Sequence, residues 1–319
     1  MRIIYYGVQP EEESTIHQWA FRYQIRVTIV HEAIDTVNVH LAKHHQGVCL
    51  FPSQVMRTSE EIYRILAAYQ IQTIAIKSTG VESVNFEWAK KYGLTITNVP
   101  AYSPTSVGHY AVMAILMGLR NVPQIIQHYK MPAGKEMSEV TIGLVGMGRI
   151  GKVVAKNCQA LGAKVIATTR NKQFGTYEGI EYCSFTTLIT QADVISLHLP
   201  QTQESYHLID EQVFDQLKKD VVFVNTARGA IIDTKAMLLW LKTAPFASVI
   251  LDTVEDEEEY RSNYTDNPWY QRLSIHPQVM MTPHIAYHTK RAVDEIVWTA
   301  LSNTMEILTT GKSANQVFS

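Results

Sequence analysis

The sequence has few cysteines and none of the spacings that a disulfide framework or a zinc site would need. Its 319 residues include three cysteines, Cys49, Cys158 and Cys183, which are far apart and form no Cys-x-x-Cys pair. A small secreted scaffold would carry an even, closely spaced set. The three cysteines are therefore predicted to be reduced thiols in the protein interior, and no metal is expected.

An excess of one charge and a long apolar run are also absent. The net charge is −2 and the pI is near 6.6, which gives no reason to expect nucleic acid or an anionic membrane as a partner. The longest apolar stretch, 111–119, is too short to span a membrane, and the apolar run at 3–6 is too short for a signal peptide. No internal repeat or low-complexity tract is present. We expect a cytoplasmic protein that acts on small molecules.

The sequence does contain a regular alternation of short apolar runs and segments of helical period. Near-continuous apolar strands joined by helical crossovers indicate parallel sheets with helices on their faces. At this length, two domains are the natural expectation. The first half predicts strands at 3–6, 27–30, 48–51, 73–76 and 95–97, with helices around 11–22, 60–69 and 85–91, and the second half predicts strands at 141–145, 164–168, 194–197, 221–224, 248–251 and 279–282.

A segment rich in helix breakers, 98–104, separates the two halves and leads into a long apolar helix predicted from about 105 to 128. The chain closes with a helix at about 289–310, whose apolar face needs a surface to pack against, and the first domain offers one. We therefore predict a substrate domain of residues 1–100 plus 286–319 and a dinucleotide-binding domain of residues 101–285. A hinged cleft between them would lie at the carboxyl ends of the parallel strands.

The most informative motif lies directly after the apolar strand at 141–145. Gly146, Gly148 and Gly151 have the spacing Gly-x-Gly-x-x-Gly, an amphipathic segment follows at 152–161, and a second strand follows at 163–168. The first glycine permits a tight turn, the second lets the backbone approach a pyrophosphate, and the third lets helix and strand pack closely. A chance glycine-rich turn is the alternative, but the surrounding strand, helix and strand favour a dinucleotide site.

The end of that second strand departs from the usual NAD pattern. NAD-binding units carry Asp or Glu about 20 residues beyond the glycines, where it bonds the ribose hydroxyls. Here Thr169, Arg170 and Lys172 stand instead, with no carboxylate. A hydroxyl and two cations suit a 2′-phosphate, so NADP(H) is favoured over NAD(H). The alternative is that Arg170 is a solvated loop cation, or stacks on adenine, while either cofactor binds.

Polar residues also stand where two later strands end. Arg228 follows the strand at 221–224, and His284 follows the strand at 279–282. An arginine can clamp a carboxylate, and a protonated histidine can donate to a carbonyl oxygen as a hydride arrives from a nicotinamide. Taken alone, such an arginine is more often part of a structural ion pair and such a histidine a satisfied core or surface residue. The nearby cofactor motif favours the chemical interpretation.

Five blocks of sequence resemble the D-isomer-specific 2-hydroxyacid dehydrogenase family, in particular its D-lactate dehydrogenase branch. They are 143–151 (GLVGMGRIG), 194–200 (VISLHLP), 225–229 (NTARG), 251–257 (LDTVEDE) and 282–287 (TPHIAY). The resemblance covers essentially the whole chain. It implies an α/β fold of two domains, a Rossmann-type doubly wound parallel-sheet cofactor domain and a smaller flavodoxin-like substrate domain. It also implies a homodimer formed through the helix after Pro104.

The resemblance further implies a catalytic set of Arg228, Glu257 and His284. Only family spacing singles out Glu257, because the acidic run at 255–259 is by itself typical of a solvated loop. Glu257 would hold His284 and raise its pKa, so that the imidazolium can protonate the oxygen of pyruvate or a related 2-keto acid. Substrate contacts are implied at Thr79, Gly80, Tyr102, Phe51 and Tyr287. Packing in the core is the alternative for Phe51.

The predicted cofactor contacts come from the glycine motif, the strand ends and the resemblance. They are Gly146, Gly148, Arg149, Ile150, Gly151, Thr169, Arg170, His198, Pro200, Thr226, Ala227 and Asp252. Members of the family that use NAD carry Asp where Thr169 stands. In lacking it, the chain resembles the D-lactate dehydrogenases of vancomycin-resistance type, which favour NADPH.

Two other functions stay open at this point. The turn at 77–81 reads KSTGV, where lactate-specific relatives more commonly have Arg-Asn-Val-Gly-Val. A dehydrogenase for bulkier 2-keto acids, such as 2-ketoisocaproate or phenylpyruvate, is therefore the alternative among enzymes. From another class, the same fold serves as an NAD(H)-sensing transcriptional corepressor, because a fold does not determine one function.

Overall fold

The computed structural model describes residues 1–51, 53–170, 174–260 and 263–318. They form two compact units. The first unit is Met1–Ser103 together with the C-terminal segment that begins at Thr289, and the second unit is Pro104–His288. The sequence predicts these divisions near 100 and 285, and in the structure they fall after Ser103 and after His288.

Strands and helices alternate along both units. The strands are β1 (Arg2–Tyr6), β2 (Arg26–Val30), β3 (Gly47–Leu50), β4 (Thr73–Ile76), β5 (Thr95–Thr97), β6 (Thr141–Val145), β7 (Lys164–Thr168), β8 (Gly175–Tyr177), β9 (Ile180–Tyr182), β10 (Val194–Leu197), β11 (Val222–Asn225), β12 (Ser248–Leu251), β13 (Val279–Met281) and β14 (Gln316–Phe318). The helices are α1 (Glu13–Tyr23), α2 (Gln54–Thr58), α3 (Glu60–Ala68), α4 (Phe86–Lys91), α5 (Pro104–Leu119), α6 (Val122–Ile126), α7 (Arg149–Ala160), α8 (Phe185–Gln191), α9 (Glu211–Gln216), α10 (Thr234–Trp240), α11 (Pro268–Ser274) and α12 (Lys290–Thr310).

The sheet of the first unit has the order β14-β5-β4-β3-β1-β2. Strands β1 to β5 are parallel, in the order 2-1-3-4-5 of flavodoxin-like folds, and β14 adds an antiparallel edge. Every residue of β3 and β4 is buried, as expected for strands covered on both faces. Helix α12 packs on β3 and β4, where a Cβ at Gly47 would lie only 2.3 Å from Thr304 Cγ2. The C-terminal helix therefore belongs to the core of the first unit.

The sheet of the second unit has the order β13-β12-β11-β10-β6-β7-β9-β8. Six of its parallel strands lie in the Rossmann order 3-2-1-4-5-6 when they are numbered along the chain: β6, β7, β9, β10, β11 and β12. The order reverses between β6 and β10. Ligands of such sheets bind at the carboxyl ends of the strands beside this switch point. The predicted two-domain α/β fold is confirmed. The short strands β8 and β9 were not predicted.

The single helix predicted from about 105 to 128 is wrong. Helix α5 ends at Leu119, Asn121 adopts a left-handed conformation with φ 54°, and α6 begins at Val122. Asn enters this conformation more readily than other side chains. Pro123 in the first turn of α6 has no N–H to donate, and its ring would clash with the carbonyl of residue 119 in a continuous helix.

The cysteines lie where the sequence predicts. Cys49 and Cys158 are buried, Cys183 is partly buried, and all three are free thiols. Among the described residues, no helix is both long enough and apolar enough to cross a membrane.

Candidate active site

The glycine turn between β6 and α7 has the geometry of a pyrophosphate site. Gly146 has φ +100°, and a Cβ there would lie 2.3 Å from the carbonyl oxygen of His198. A Cβ at Gly151 would lie 2.3 Å from the carbonyl oxygen of Gly146, whereas one at Gly148 would meet nothing within 4 Å. Helix α7 begins at Arg149, directly after this open position. A helix N-terminus approached by bare backbone suits a phosphate group, so these residues fit a dinucleotide.

The remaining predicted cofactor residues follow the carboxyl ends of β7, β10, β11 and β12. Two threonines there, Thr226 and Thr253, have buried hydroxyl groups with no hydrogen-bond partner within the described part of the chain. Buried hydroxyls are nearly always bonded, so unused ones at strand ends fit a polar ligand. Thr253 was missed by the sequence prediction, because nothing in its neighbourhood separates it from a core threonine.

His198 is uncharged in the working pH range. Burial lowers the pKa of its imidazole to about 4, and its Nε2 atom lies 2.9 Å from the hydroxyl of Ser196. The predicted cofactor contact His198 thus brings no positive charge to the glycine turn.

The end of β7 shows one contact that the sequence could not reveal. Arg170 donates from Nη1 to Glu204 Oε2 at 2.7 Å, and both side chains are mostly exposed. An exposed pair of this kind contributes at most about 1 kcal/mol, so a phosphate could replace the carboxylate. Thr169 is partly buried beside it, and Lys172 lies outside the described residues.

His284 and Glu257 form a hydrogen-bonded pair that leaves one ring nitrogen open. His284 Nδ1 lies 2.9 Å from Glu257 Oε1. Because a carboxylate only accepts, Nδ1 carries the hydrogen of this bond. Within the described ranges, Nε2 has no hydrogen-bond partner, and the His284 side chain is 32% exposed. The free nitrogen is therefore available to a substrate.

Neighbouring charges favour the protonated form of His284. Burial alone lowers its pKa, but the charge of Glu257 and its hydrogen bond raise it. Asp252 also raises the pKa and Arg228 lowers it, and the net result is a pKa above the ordinary value of 6.5. The imidazolium can consequently serve as a proton donor near neutral pH.

Arg228 is held by the turn that follows β11. Asn225 closes this turn, since its Oδ1 accepts from Ala227 N at 2.9 Å and its Nδ2 donates to Arg228 O at 2.8 Å. At the next position, a Cβ on Gly229 would lie 2.1 Å from the carbonyl carbon of Val254. Glycine thus allows the turn of Arg228 to lie directly against the turn of Glu257. The three predicted catalytic residues meet in the second unit.

Asp252 holds the backbone around His284. Its Oδ1 accepts from Ile285 N and its Oδ2 from Ala286 N, both at 2.8 Å, and burial raises its pKa. The Thr282 hydroxyl donates to Oδ1 at 2.6 Å and lies 2.6 Å from the hydroxyl of Tyr110 on α5. Asp252, predicted as a cofactor contact, is thus occupied by protein donors.

His284 itself has φ 54°, a left-handed backbone conformation that is uncommon outside glycine and often marks a functional site. The Tyr287 ring stands edge-on to the imidazole, with centroids 6.2 Å apart. The predicted pocket residue Tyr287 is therefore next to the predicted proton donor.

Two of the predicted substrate residues of the first unit, Thr79 and Gly80, follow the end of β4. The Thr79 hydroxyl donates to Val99 O at 2.9 Å, while the backbone N–H groups of Thr79 and Gly80 make no hydrogen bond within the described residues. Such unused N–H groups on a turn suit a carboxylate. Tyr102 is partly buried and lies in the same unit.

Lys77, directly after β4, forms a buried contact that was not predicted. Its Nζ donates to Glu12 Oε1 at 2.9 Å, to Glu12 Oε2 at 2.6 Å and to Gly7 O at 2.7 Å. The ammonium also lies 5.3 Å from the centre of the Phe51 ring, a cation–π distance. Phe51 is thus packed against a fixed charge.

The Rossmann sheet and its glycine turn define the second unit as a dinucleotide-binding domain. The family model "D-isomer specific 2-hydroxyacid dehydrogenase, NAD binding domain" matches residues 112–286. The chain belongs to the D-isomer-specific 2-hydroxyacid dehydrogenase family. The predicted family is confirmed, and with it an oxidoreductase of D-2-hydroxy acids that has an NAD-binding domain.

Known proteins resemble the chain over its whole length. The D-lactate/D-glycerate dehydrogenase of Pediococcus acidilactici is 32% identical, over 99% of both chains. A solved D-2-hydroxyisocaproate dehydrogenase superposes with a TM-score of 0.89 at 32% identity, over 100% of both chains. An NAD-complexed D-isomer-specific 2-hydroxyacid dehydrogenase of Lactobacillus delbrueckii ssp. bulgaricus superposes with a TM-score of 0.85 at 30% identity, over 99% of this chain and 100% of that one.

Proposed function

We propose that the protein reduces a 2-keto acid to the D-2-hydroxy acid, and catalyses the reverse oxidation, with a nicotinamide dinucleotide. The observation that supports this proposal most directly is the hydrogen bond between His284 and Glu257. It leaves the Nε2 atom of His284 without a partner among the described residues, in a dinucleotide-binding domain. The bound dinucleotide supplies the hydride in reduction and takes it up in oxidation.

The chain's own residues bind the substrate and move the proton. The guanidinium of Arg228 binds the carboxylate of the keto acid and orients its carbonyl. His284 then donates the proton on Nε2 to the carbonyl oxygen, while Glu257 stabilises the imidazolium before transfer and holds the ring in place afterwards. Asp252 holds the backbone that directly follows His284, through the N–H groups of Ile285 and Ala286.

Pyruvate is the first substrate to test. The KSTGV turn at 77–81 and the aromatic side chains of Phe51 and Tyr287 also admit a bulkier substrate, as in a D-2-hydroxyisocaproate dehydrogenase. Comparing kcat/KM for pyruvate, 2-ketoisocaproate and phenylpyruvate separates the two. A pyruvate preference of about tenfold or more would identify a lactate enzyme. The contacts of Thr79, Gly80 and Tyr102, and the cleft between the domains, stay predictions.

For the cofactor we propose NADP(H), with NAD(H) also accepted. The absence of a carboxylate at Thr169 supports this, and the pairing of Arg170 with Glu204 opposes it, because the arginine must exchange partners to bind a 2′-phosphate. Initial rates with NADH and NADPH should be measured in parallel on the wild type and on Thr169→Asp. We expect the variant to lose NADPH activity by about tenfold or more and to keep NADH activity. A wild type that prefers NADH would refute the NADP(H) assignment.

We also propose a homodimer formed through α5 and α6. Four apolar side chains on these helices are exposed in the single chain: Met113, Leu116, Ile125 and Ile126. Apolar side chains exposed on two successive helices are typical of subunit interfaces. Analytical ultracentrifugation of wild type and of Ile126→Glu tests the proposal, since a dimer that survives this substitution would place the interface elsewhere. The cytoplasmic location stays a prediction.

A further inference from the structure

The acidic run at 255–259 separates in the structure into side chains with different environments. Glu257 reaches His284, whereas Glu255, two residues earlier, is buried and points to another partner. Its Oε1 lies 2.6 Å from Nε2 of His207, and its Oε2 accepts from Thr234 N at 3.3 Å. Asp256 between them has φ 60°. The run therefore forms a turn in which Glu255 and Glu257 have specific partners, rather than a loop whose side chains all face solvent.

His207 contacts both turns that carry catalytic residues. Its backbone N–H donates to Ala230 O at 2.9 Å, in the turn that follows Arg228. Its side chain bonds Glu255, in the turn that carries Glu257. The ring is also stacked on Tyr206, with centroids 4.0 Å apart and planes at 14°. One stiffly held residue thus connects the two turns.

The contact between these turns is tight. Gly229 lies where a Cβ would approach Glu255 N to 2.3 Å, so the two backbones touch. Asn267 holds the other side, since its Nδ2 donates to Glu255 O at 2.8 Å. Within the turn, Val254 N donates to Glu257 Oε2 at 3.3 Å. A shift of Glu255 would therefore move Glu257.

We propose that His207 and Glu255 form a positioning pair that holds the turns of Arg228 and Glu257 against each other and so keeps Glu257 bonded to His284. This inference rests on the proposed function, because it gives the pair a role in the same proton transfer. Neither residue touches a reacting atom in this role. His207 and Glu255 act through Glu257.

The charged groups around His284 and His207 determine which measurement can detect the positioning role. Glu257, Asp252 and Arg228 act electrostatically on His284. His207 faces Glu255 and, at 4.0 Å from Nδ1, Asp233. Loss of the His207 side-chain bond should loosen Glu257, whereas the backbone bond of residue 207 to Ala230 O still holds the turn of Arg228 and Asp252 keeps its own bonds. His284 would then lose its proton at lower pH, and activity in the direction of reduction would decline at lower pH.

The test compares two substitutions of His207 that differ in reach. The amide of His207→Asn is too short to bond Glu255, whereas His207→Gln can still reach it. His207 has φ 50°, and both substitutions are compatible with this left-handed backbone, which Asn121, Gln24 and Gln70 also adopt in this chain. The matched control is His276→Asn, because His276 is also half-buried in the second unit but has no carboxylate partner among the described residues.

Two measurements are made on each protein. The first is the pH profile of kcat/KM for 2-keto acid reduction, and the second is the NMR titration of the His284 ring in the cofactor-free protein. For His207→Asn we expect both to move to lower pH, kcat/KM at pH 8 to fall by about 3- to 30-fold and the cofactor KM to change less than about twofold. His207→Gln and His276→Asn should keep the wild-type profile. Glu255→Gln combined with His207→Asn should be no worse than the more severe single variant.

Other results would overturn the inference. A His207→Asn profile that superimposes on the wild type would do so, even if thermal stability falls, and so would equal shifts in the Asn and Gln variants. A wild type that turns over no 2-keto acid would refute the proposed function instead. The titration of His284 would still decide the positioning role in that case.

Discussion

In each unit, a basic side chain next to the carboxyl end of a parallel strand pairs with a carboxylate, and the pairs of Lys77 with Glu12 and of His284 with Glu257 are built in opposite ways. After β4, the three N–H groups of Lys77 all have acceptors, and the side chains of Lys77 and Glu12 are 2% and 8% exposed. After β13, His284 uses one ring nitrogen for Glu257 and leaves the other open at 32% exposure.

The first pair is suited to stabilise the fold, and the second is suited to take part in proton transfer. A buried pair with every hydrogen bond satisfied cannot take a further partner, and removing one member leaves an uncompensated charge in the core. A pair with an open nitrogen contributes less to stability but can exchange a proton with a substrate. We expect substitutions in the first pair to affect unfolding and substitutions in the second to affect turnover.

The largest expected effect is that of His284→Asn. The substitution removes the proton donor and keeps a side chain that tolerates φ 54°. We expect kcat for keto acid reduction to fall by about 10²- to 10⁴-fold, with the unfolding midpoint nearly unchanged. The control is His128→Asn, because His128 has φ 63° and lies outside the site. Equal losses in both variants would contradict the chemical role of His284.

The next effect in size is that of Lys77→Met on stability. Loss of the ammonium leaves Glu12 buried without a counter-charge, which should cost about 3–5 kcal/mol of the free energy of unfolding in urea. Adding Glu12→Gln should restore most of it. Lys91→Met breaks the exposed pair of Lys91 with Glu60 in the same unit and should change the free energy of unfolding far less, because solvent screens an exposed ion pair. Similar costs for Lys77→Met and Lys91→Met would show that the buried pair contributes no more to stability than an exposed pair does.

The smallest expected effect is that of Glu257→Gln, which keeps a hydrogen-bond acceptor and removes its charge. Reduction needs protonated His284, so activity is present below the pKa of His284 and is lost as the pH rises through it. Glu257 holds that pKa above its ordinary value, so its loss should move the decline to lower pH and reduce kcat at pH 7.5 by about tenfold. Glu259→Gln, an exposed neighbour, should leave the profile unchanged. A shift to higher pH would show that Glu257 is not the stabilising charge.

Much of the fold follows from local patterns in the sequence. The apolar runs of β1, β3, β4, β6, β10 and β12 predict the parallel strands, since a strand covered on both faces must be apolar throughout. The glycine spacing after β6 predicts the dinucleotide turn, because each glycine answers a separate steric need. Asn121 and Pro123 also indicate the break after Leu119, but the apolar residues around them favour a continuous helix.

The buried contacts that the sequence could not predict join distant parts of the chain. Lys77 and Glu12 are 65 residues apart, and His207 and Glu255 are 48 apart. No periodicity connects such pairs. Within the run at 255–259, the glutamates acquire different partners only once the turn is folded, so the sequence alone does not distinguish Glu255 from Glu257. Family spacing identified Glu257, and no signal in the sequence identified Glu255.

The close passage at Gly229 has a consequence for anyone who would redesign this protein. At Gly229 two stretches of backbone touch without a side chain between them, so any other residue there would place its Cβ on the backbone of Val254 and Glu255. Position 229 can therefore change only if the backbone at 254–255 moves with it. Libraries aimed at new substrates should therefore keep Gly229 and vary the proposed pocket positions Phe51 and Tyr287.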